Sequence, residues 1–289
     1  MNQEQKKDND QETDVDKASP RKPARRILEQ EISEGLGEIR RSASGLFISG
    51  LSAGLDVGFS LFLMATMLSQ TNGLLPKPVV EILTANMYAV GFIFVIVGRS
   101  ELFTEHTTLS VLPVLNGRAS LKSLVRLWAL IYVSNLLGAT IFAWLAAEIG
   151  PALGIIQPET FGEIAHNVVG YGWLTIVVSG MLAGWLMGLL SWLVAAGRDT
   201  ISQIVLIWLI TAAIGLTHLH HSIVGSVEVL AGLFANQGIT LLNYLHFLLW
   251  ATLGNSIGGV FFVALIKYGH VIRSDKEPED VRLEDTPQQ

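Results

Sequence analysis

Two of the apolar stretches in this 289-residue chain are too long for one membrane crossing, and polar residues interrupt both. The first of these two stretches contains GRSELFTEH, and the second contains THLHH. Backbone groups in hydrocarbon must be satisfied within the protein, so helix breaks occur only where protein or water covers them. The pattern predicts an all-α integral membrane protein with six transmembrane spans, the second and fifth broken. At about 20 residues per crossing, the apolar stretches cover roughly 45–69, 83–115, 121–148, 170–195, 200–234 and 240–268.

The two breaks carry polar side chains at membrane depth. The segment from Asn86 to Val97 has 12 residues, and at about 1.5 Å per residue it predicts a first break about 18 Å into the membrane. The second break contains His218, His220 and His221. Titratable groups in a bilayer are costly and usually functional. We therefore expect the breaks to hold the functional site.

The residues before the first span are polar. Low hydrophobicity of this kind is typical of a disordered arm. Leu28, Ile32 and Leu36 recur every four residues, which predicts a helix with one apolar face, lying on the membrane or packed on a neighbouring helix. We therefore predict a disordered cytoplasmic arm at residues 1–26 and an amphipathic surface helix at 27–43. A six-span transport domain follows at 44–269, and a cytoplasmic tail at 270–289.

Lysine and arginine are unevenly distributed between the connections. One connection carries Arg118, Lys122 and Arg126, and the turn before the fifth span carries Arg198, whereas the alternate connections hold only Lys77. Loops rich in lysine and arginine stay on the cytoplasmic side. Both termini are therefore predicted to be cytoplasmic, which requires an even number of spans.

Several function classes find no support in the sequence. The chain has no cysteine, which excludes disulfides, zinc–thiolate sites and cysteine nucleophiles. No phosphate-binding loop, nucleophile elbow or HExxH motif indicates an enzyme or a cofactor, and nothing indicates a nucleic-acid partner. A transition-metal site at the histidines, with His106 or Glu105, is a further alternative. No pattern of supporting carboxylates favours it, so no metal is predicted.

The sequence contains an internal repeat. AGLDVG at 53–58 matches AGWLMG at 183–188, and NLLGA at 135–139 matches NSIGG at 255–259. Small residues of this kind allow close helix packing. Each half then consists of a full span, a broken span and a full span, and three spans per half place the second half upside down. Inverted repeats with broken helices in matching positions point to a transport site near the midplane.

Four segments together resemble one known family. ELFTEHTTLSVL, WALIYVSNLLGA, LHHSIVG and GNSIGG occur in this order. They resemble the motifs of the formate/nitrite transporter family, most of all its YfdC-type branch, and the resemblance covers roughly residues 30–268. It implies an aquaporin-like protomer in the bacterial inner membrane, assembled as a homopentamer with one pore per protomer. In that family the pore passes small monovalent anions or their conjugate acids.

The resemblance also implies roles for single residues. His221 corresponds to the central pore histidine and Thr104 to the threonine that hydrogen-bonds it. Leu102 and Phe103 correspond to apolar constrictions, and Asn135 and Asn255 to paired asparagines in the third and sixth spans. Other polar residues of the two breaks are secondary pore or vestibule candidates: His220, His218, Glu101, Glu105 and Arg99. The alternative is a structural role for the histidines, His221 included, and a structural ion pair for the other three residues.

The chain departs from the family pattern at three places. His220 replaces a glutamate and Gly225 an asparagine, and a vestibular lysine is absent, with Val168 near its position. In the family that lysine is thought to attract anions. Its absence favours an alternative, an aquaglyceroporin-like pore for small neutral solutes. A scaffolding or sensory membrane protein with a vestigial pore is the third hypothesis.

The chemistry of a histidine between apolar constrictions favours the first hypothesis. A bare anion in such a constriction has a large desolvation cost, which protonation mostly removes. A neutral imidazole donates one hydrogen bond and accepts another. The sequence therefore predicts a channel or proton-linked permease in which the chain breaks at THLHH so that His221 meets Thr104 across the pore.

Overall fold

The computed structural model describes residues 21–273, and this part of the chain is built from helices. The predicted arm before residue 21 and the predicted tail after Arg273 lie outside the described residues. The helices are α1 Ala24–Arg40, α2 Ala43–Asp56, α3 Gly58–Thr71, α4 Lys77–Val97, α5 Phe103–Leu109, α6 Leu112–Leu115, α7 Leu121–Ala152, α8 Pro158–Val169, α9 Trp173–Ala196, α10 Thr200–Leu216, α11 Ser222–Phe234, α12 Leu241–Ile257, a π-helical segment Gly258–Leu265 and α13 Ile266–Arg273.

The first helix packs on its neighbours through the apolar face seen in the sequence. It begins at Ala24, three residues before the predicted start, because Pro23 precedes it with a fixed, extended conformation. Ile27, Leu28 and Ile32 are buried in a cluster with residues of later helices, Trp192 among them. Of the two environments considered for this helix, the structure shows packing against protein.

Five helices within residues 21–273 are long and apolar enough to cross a membrane. The first combines α2 and α3, which meet at Val57, and the last continues from α12 through the π-helical segment. The stretch predicted as a broken fifth span forms two shorter apolar helices, α10 and α11. The five long helices are Ala43–Thr71, Lys77–Val97, Leu121–Ala152, Trp173–Ala196 and Leu241–Arg273.

The helix before the first break is longer than the segment from Asn86 that the sequence estimate used. α4 begins at Lys77 and has 21 residues, a length of about 31 Å at about 1.5 Å per residue. Thr84 and Asn86 continue the helix because their side chains donate to carbonyl oxygens four residues earlier, each at 2.7 Å. The helix before the break is therefore long enough to cross a membrane, and the break comes at its end.

Close glycine contacts join the full-length helices in each half. α7 packs along α2, and α12 packs along α9. A Cβ atom at Gly54 would collide with the backbone oxygen of Asn135, and one at Gly184 would collide with that of Asn255. The two contacts involve the repeat positions seen in the sequence. Glycine is needed here because the backbones approach too closely for a larger residue.

The two breaks have the same backbone path. Arg99 has a φ of 60° and His218 a φ of 50°. Each lies three residues before the residue that precedes the next helix, Leu102 before α5 and His221 before α11. Positive φ is uncommon outside glycine, so its recurrence at matching positions indicates that the two turns are built alike.

Candidate functional site

Asn135 holds the first break to its neighbours. Its Nδ2 donates to the carbonyl oxygens of Glu101 and Gly50, both at 2.8 Å, and its Oδ1 accepts from the backbone N–H of Phe103 at 2.8 Å. The groups of Glu101 and Phe103 are backbone groups that the break leaves without helical partners, whereas Gly50 lies within α2. The side chain thus replaces part of the missing helical hydrogen bonding.

Asn255 makes the corresponding contacts at the second break. Its Nδ2 donates to the carbonyl oxygens of His220 at 2.8 Å and Gly180 at 2.9 Å, and its Oδ1 accepts from Ser222 N–H at 2.8 Å. Asn135 and Asn255 are both fully buried. Neither side chain lines either of the two cavities described below, and their contacts give both a positioning role.

His221 and Thr104 meet between the two breaks. Thr104 Oγ1 lies 2.8 Å from His221 Nε2. His221 Nδ1 also accepts from the backbone N–H of Val224 at 3.3 Å, as the N-cap of α11. An imidazole nitrogen that accepts carries no proton, so the neutral ring donates from Nε2 to Thr104. A second proton on His221 would break the N-cap contact.

Two cavities lie at opposite ends of α4. The histidine cavity, about 580 Å³, includes Lys77 at the start of α4. The carboxylate cavity, about 240 Å³, includes Ile96 and Arg99 at its other end. The predicted polar candidates divide between them: His218, His220 and His221 line the histidine cavity, and Arg99, Glu101 and Glu105 line the carboxylate cavity.

The barrier between the cavities is short and apolar. Tyr88 lines the histidine cavity and Ile96 the carboxylate cavity, and Phe92 lies between them on the same face of α4. Phe92 is fully buried, and its ring meets that of His221 edge-on with centroids 5.2 Å apart. Behind His221, Thr104 is followed in sequence by Glu105, which faces the other cavity.

The two predicted constriction residues do not line either cavity. Phe103 lies with its ring against Trp128 at 5.9 Å and Tyr132 at 4.8 Å, both on α7. Leu102 is fully buried at the start of α5. Phe92 instead provides the ring beside His221. Its spacing of four residues from Tyr88 and Ile96 is the sequence signal that would have identified it.

Charges from α1 surround the carboxylate cavity. Arg41 pairs with Glu101 and, at 2.7 Å, with Glu38. Glu101 also lies 2.5 Å from His106 Nε2. Burial raises the pKa of Glu38, although the bond to Arg41 acts in the opposite direction. These ion pairs thus connect the first break to α1 and to Arg41, the residue that follows α1.

Two further pairs complete this connection. Arg99 pairs with Glu34 at 3.2 Å rather than with a glutamate of the break. The buried Glu31 accepts from Ser191 Oγ through both oxygens, at 2.9 and 3.0 Å. Burial raises the pKa of Glu31 to about 8, although the Ser191 bond opposes the shift. Sequence analysis missed these partners because α1 lies far from the breaks along the chain.

The remaining histidines of the second break differ in exposure. His220 Nε2 lies 3.0 Å from the carbonyl oxygen of Val168, which can only accept, so Nε2 carries the proton. His220 Nδ1 lies 2.8 Å from Ser179 Oγ. His218 is exposed at the cavity wall. Within residues 21–273 no three histidine, aspartate or glutamate side chains are arranged to hold a metal ion.

Residues 25–269 match the family described as "Formate/nitrite transporter". The chain belongs to the formate/nitrite transporter family. "Inner membrane protein YfdC" of Escherichia coli (strain K12) is 33% identical over 267 residues, which cover 91% of this chain and 83% of YfdC. "Nitrite transporter NirC" of the same organism is 27% identical over 226 residues, covering 76% of this chain and 81% of NirC. The family assignment from the four sequence motifs is confirmed.

A solved structure of the same family has the same fold. The structure titled "FNT family ion channel" matches with a TM-score of 0.77 at 25% identity, covering 84% of this chain and 98% of that chain. The match extends over nearly all of the family member's chain. Of these relatives, NirC is named a transporter and the solved structure an ion channel.

Proposed function

We propose that this protein is a channel or proton-linked permease for small monovalent anions or their conjugate acids, with one pore in each protomer. The His221–Thr104 contact is the observation that carries this proposal. It lies at the inner end of the histidine cavity and directly beside the Phe92 barrier. A hydrogen-bonding pair at an apolar barrier offers hydrogen bonds to a solute that has lost its water, which lowers the cost of desolvation.

The path runs along α4 from one cavity to the other. A weak acid enters the histidine cavity, reaches the His221–Thr104 pair and passes Phe92 toward Glu105. The narrow part of the path is short. Thr104 hydrogen-bonds His221, which lines the histidine cavity, and is followed in sequence by Glu105, which lines the carboxylate cavity. His221 keeps its N-cap while neutral, so hydrogen bonding to the solute requires no rearrangement of α11.

The membrane arrangement is also part of the proposal. Six spans in two inverted three-span halves, with an aquaporin-like protomer, agree with the corresponding contacts of Asn135 and Asn255. The basic connections support cytoplasmic termini in a bacterial inner membrane, with residues 44–269 as the transport domain. Exposed apolar side chains on α7 and α12 offer surfaces to lipid and to neighbouring protomers of a homopentamer, among them Leu137, Trp144, Leu249 and Leu253.

Flux measurements with a matched pore variant test the proposal. Purified protein in liposomes is given formate, nitrite, acetate and lactate across pH 4 to 8, with osmotic swelling in glycerol and urea as the neutral-solute arm. The His221→Asn variant keeps an N-cap and a hydrogen-bonding group but cannot be protonated. We expect weak-acid flux in the wild type. In the variant we expect weak-acid flux to lose the part of its pH dependence that comes from protonation of His221.

Two results would contradict the proposal. Swelling in glycerol or urea without weak-acid flux would identify a pore for neutral solutes. An unchanged flux and pH profile in His221→Asn protein would make the histidine structural. Native mass spectrometry in detergent tests assembly, where mainly monomers or trimers would exclude the pentamer. An active alkaline phosphatase fused after Gln289 would place the C-terminus outside the cytoplasm.

A further inference from the structure

Glu228 is a buried carboxylic acid in the same cavity as His221. It lies on α11, seven residues after His221, and is 8% exposed. Residues seven apart occupy the same face of an α-helix, about 10 Å apart along its axis. Both side chains line the histidine cavity. A solute that approaches His221 from this cavity therefore passes Glu228.

The carboxyl group of Glu228 has no hydrogen-bond or ion-pair partner among residues 21–273. The other two buried glutamates differ in this respect. Glu31 is bonded to Ser191, and Glu101 is bonded to His106 and Arg41. A buried carboxyl group without a partner is costly unless a ligand or water supplies the missing contact. Its unfilled hydrogen-bonding capacity faces the cavity.

The charged groups around Glu228 do not neutralise it. Lys77 and Glu81 of α4 line the rim of the cavity, 3.7 Å from each other. Glu163 of α8 also lines the cavity. Counted with Glu228, these are three carboxyl groups and one ammonium group. The excess of carboxyl groups opposes the entry of an anion.

Tyrosines and histidines complete the surroundings. Tyr88 on α4, Tyr171 and the three histidines of the second break line the cavity. α12 faces α11 with Tyr244, whose hydroxyl donates to Ser226. α3 contains no titratable residue, and the buried residues of α7 include none. No cation within the described residues therefore holds Glu228 in its ionised form.

We propose that Glu228 is a specificity-determining residue that makes the histidine cavity accept the neutral form of a weak acid and reject the anion. This inference rests on the proposed function. The protonated carboxyl group donates one hydrogen bond and accepts others, which matches a carboxylic acid or nitrous acid. The ionised group repels an anion across a poorly solvated cavity. The permeant form is thus selected before the solute reaches His221.

The test is weak-acid flux through the Glu228→Gln variant in liposomes between pH 5 and 8. Glutamine has the same shape and stays neutral, so flux at pH 5 should remain within about twofold of wild type. At pH 8 the variant should pass anion about fivefold faster than wild type, because the repulsion is gone. Glu148→Gln, which removes an exposed carboxyl group of α7 outside the cavity, is the matched control. Identical profiles for wild type and Glu228→Gln would overturn the inference.

A labelling experiment separates this inference from the proposed function. Dicyclohexylcarbodiimide reacts with protonated carboxyl groups in apolar surroundings, and mass spectrometry locates the product. Labelling at Glu228 should fall as the pH rises and should slow when formic or acetic acid is present. If wild-type liposomes pass no weak acid, the proposed function fails, and protection of Glu228 by these acids would still support a binding site.

Absence of that protection would overturn the inference whatever the flux. Glu228→Met supplies a second variant of similar volume if Glu228→Gln does not assemble, as judged by its elution as an oligomer. Methionine offers no hydrogen bond to the acid, so Glu228→Met should lose flux at pH 5 by about tenfold, at about 1.4 kcal/mol for a lost contact. Flux at pH 5 equal to wild type would contradict the role of the carboxyl group.

Discussion

The two helix breaks are alike in backbone and different in almost every side chain around them. Each has a positive φ four residues before the next helix begins and a buried asparagine that binds the freed backbone groups. Charged partners from α1 surround the first break. Imidazoles, hydroxyls and one unpartnered carboxyl group surround the second. The repeated residues thus position the chain, and the residues that differ give the two cavities separate chemistry.

Replacement of the asparagines should have the largest effect and should be equal in both halves. Asn135→Leu leaves the carbonyl oxygen of Glu101 and the N–H of Phe103 without their side-chain partner, and Asn255→Leu does the same to the carbonyl oxygen of His220 and the N–H of Ser222. At about 1–3 kcal/mol for each such group, either variant should lose several kcal/mol of stability. Thermal unfolding followed by size-exclusion chromatography measures this. A large loss of stability in one variant and none in the other would show that the two breaks are not equivalent.

Removal of the hydroxyl group between the breaks should reduce transport without unfolding the protein. Thr104→Val keeps the shape of the side chain and leaves the Nε2–H of His221 without its acceptor. The lost contact, about 1–3 kcal/mol, should slow weak-acid flux by about tenfold. Thr140→Val, which removes a hydroxyl that bonds only within α7, is the control. Equal flux in both variants would remove Thr104 from the path.

The charged break should respond to salt, and the neutral break should not. Arg41→Gln separates Glu38 and Glu101 from their shared cation, and we expect a loss of about 1 kcal/mol because Arg41 is partly exposed. Ser179→Ala removes the contacts to His220 at a similar cost. Raising the ionic strength should shrink the first loss and leave the second unchanged. Thermal unfolding at two salt concentrations distinguishes them, and a salt-dependent Ser179→Ala effect would contradict the comparison.

The smallest effect should be a pH-dependent loosening of α1. Burial raises the pKa of Glu31 to about 8, so the folded protein binds this proton more tightly than the unfolded chain does. The resulting stabilisation is complete below the ordinary carboxyl pKa and is lost as the pH rises through about 8. A spin label on a single cysteine at Gly37, in open space on α1, should become more mobile between pH 6 and 9.

Glu31→Gln provides the control for this measurement. Its neutral side chain keeps the hydrogen bond with Ser191 but cannot ionise. The label should then give the same spectrum at both pH values. A pH-dependent spectrum in Glu31→Gln protein would assign the loosening to another group, such as Glu38.

Hydropathy, motif order and repeats along the chain were sufficient to predict the family, the broken spans and the pairing of Asn135 with Asn255. These features depend on the order of residues along one helix or on a repeat in register. The expected meeting of His221 with Thr104 followed from the family resemblance, and the structure places them in contact. The sequence estimate made the helix before the first break too short, because the polar residues Thr84 and Asn86 bond within α4 and do not end it.

Only the tertiary structure decided which side chains surround the pair. It placed Phe92 rather than Phe103 beside His221, Arg41 on Glu101, and Glu228 in the cavity without a partner. A helix such as α9 is apolar on all sides, so its sequence does not specify its rotation about its axis. Packing against neighbouring helices sets that rotation, and the rotation sets which groups face a cavity. The sequence by itself determined where the helices break, and the packing determined what meets there.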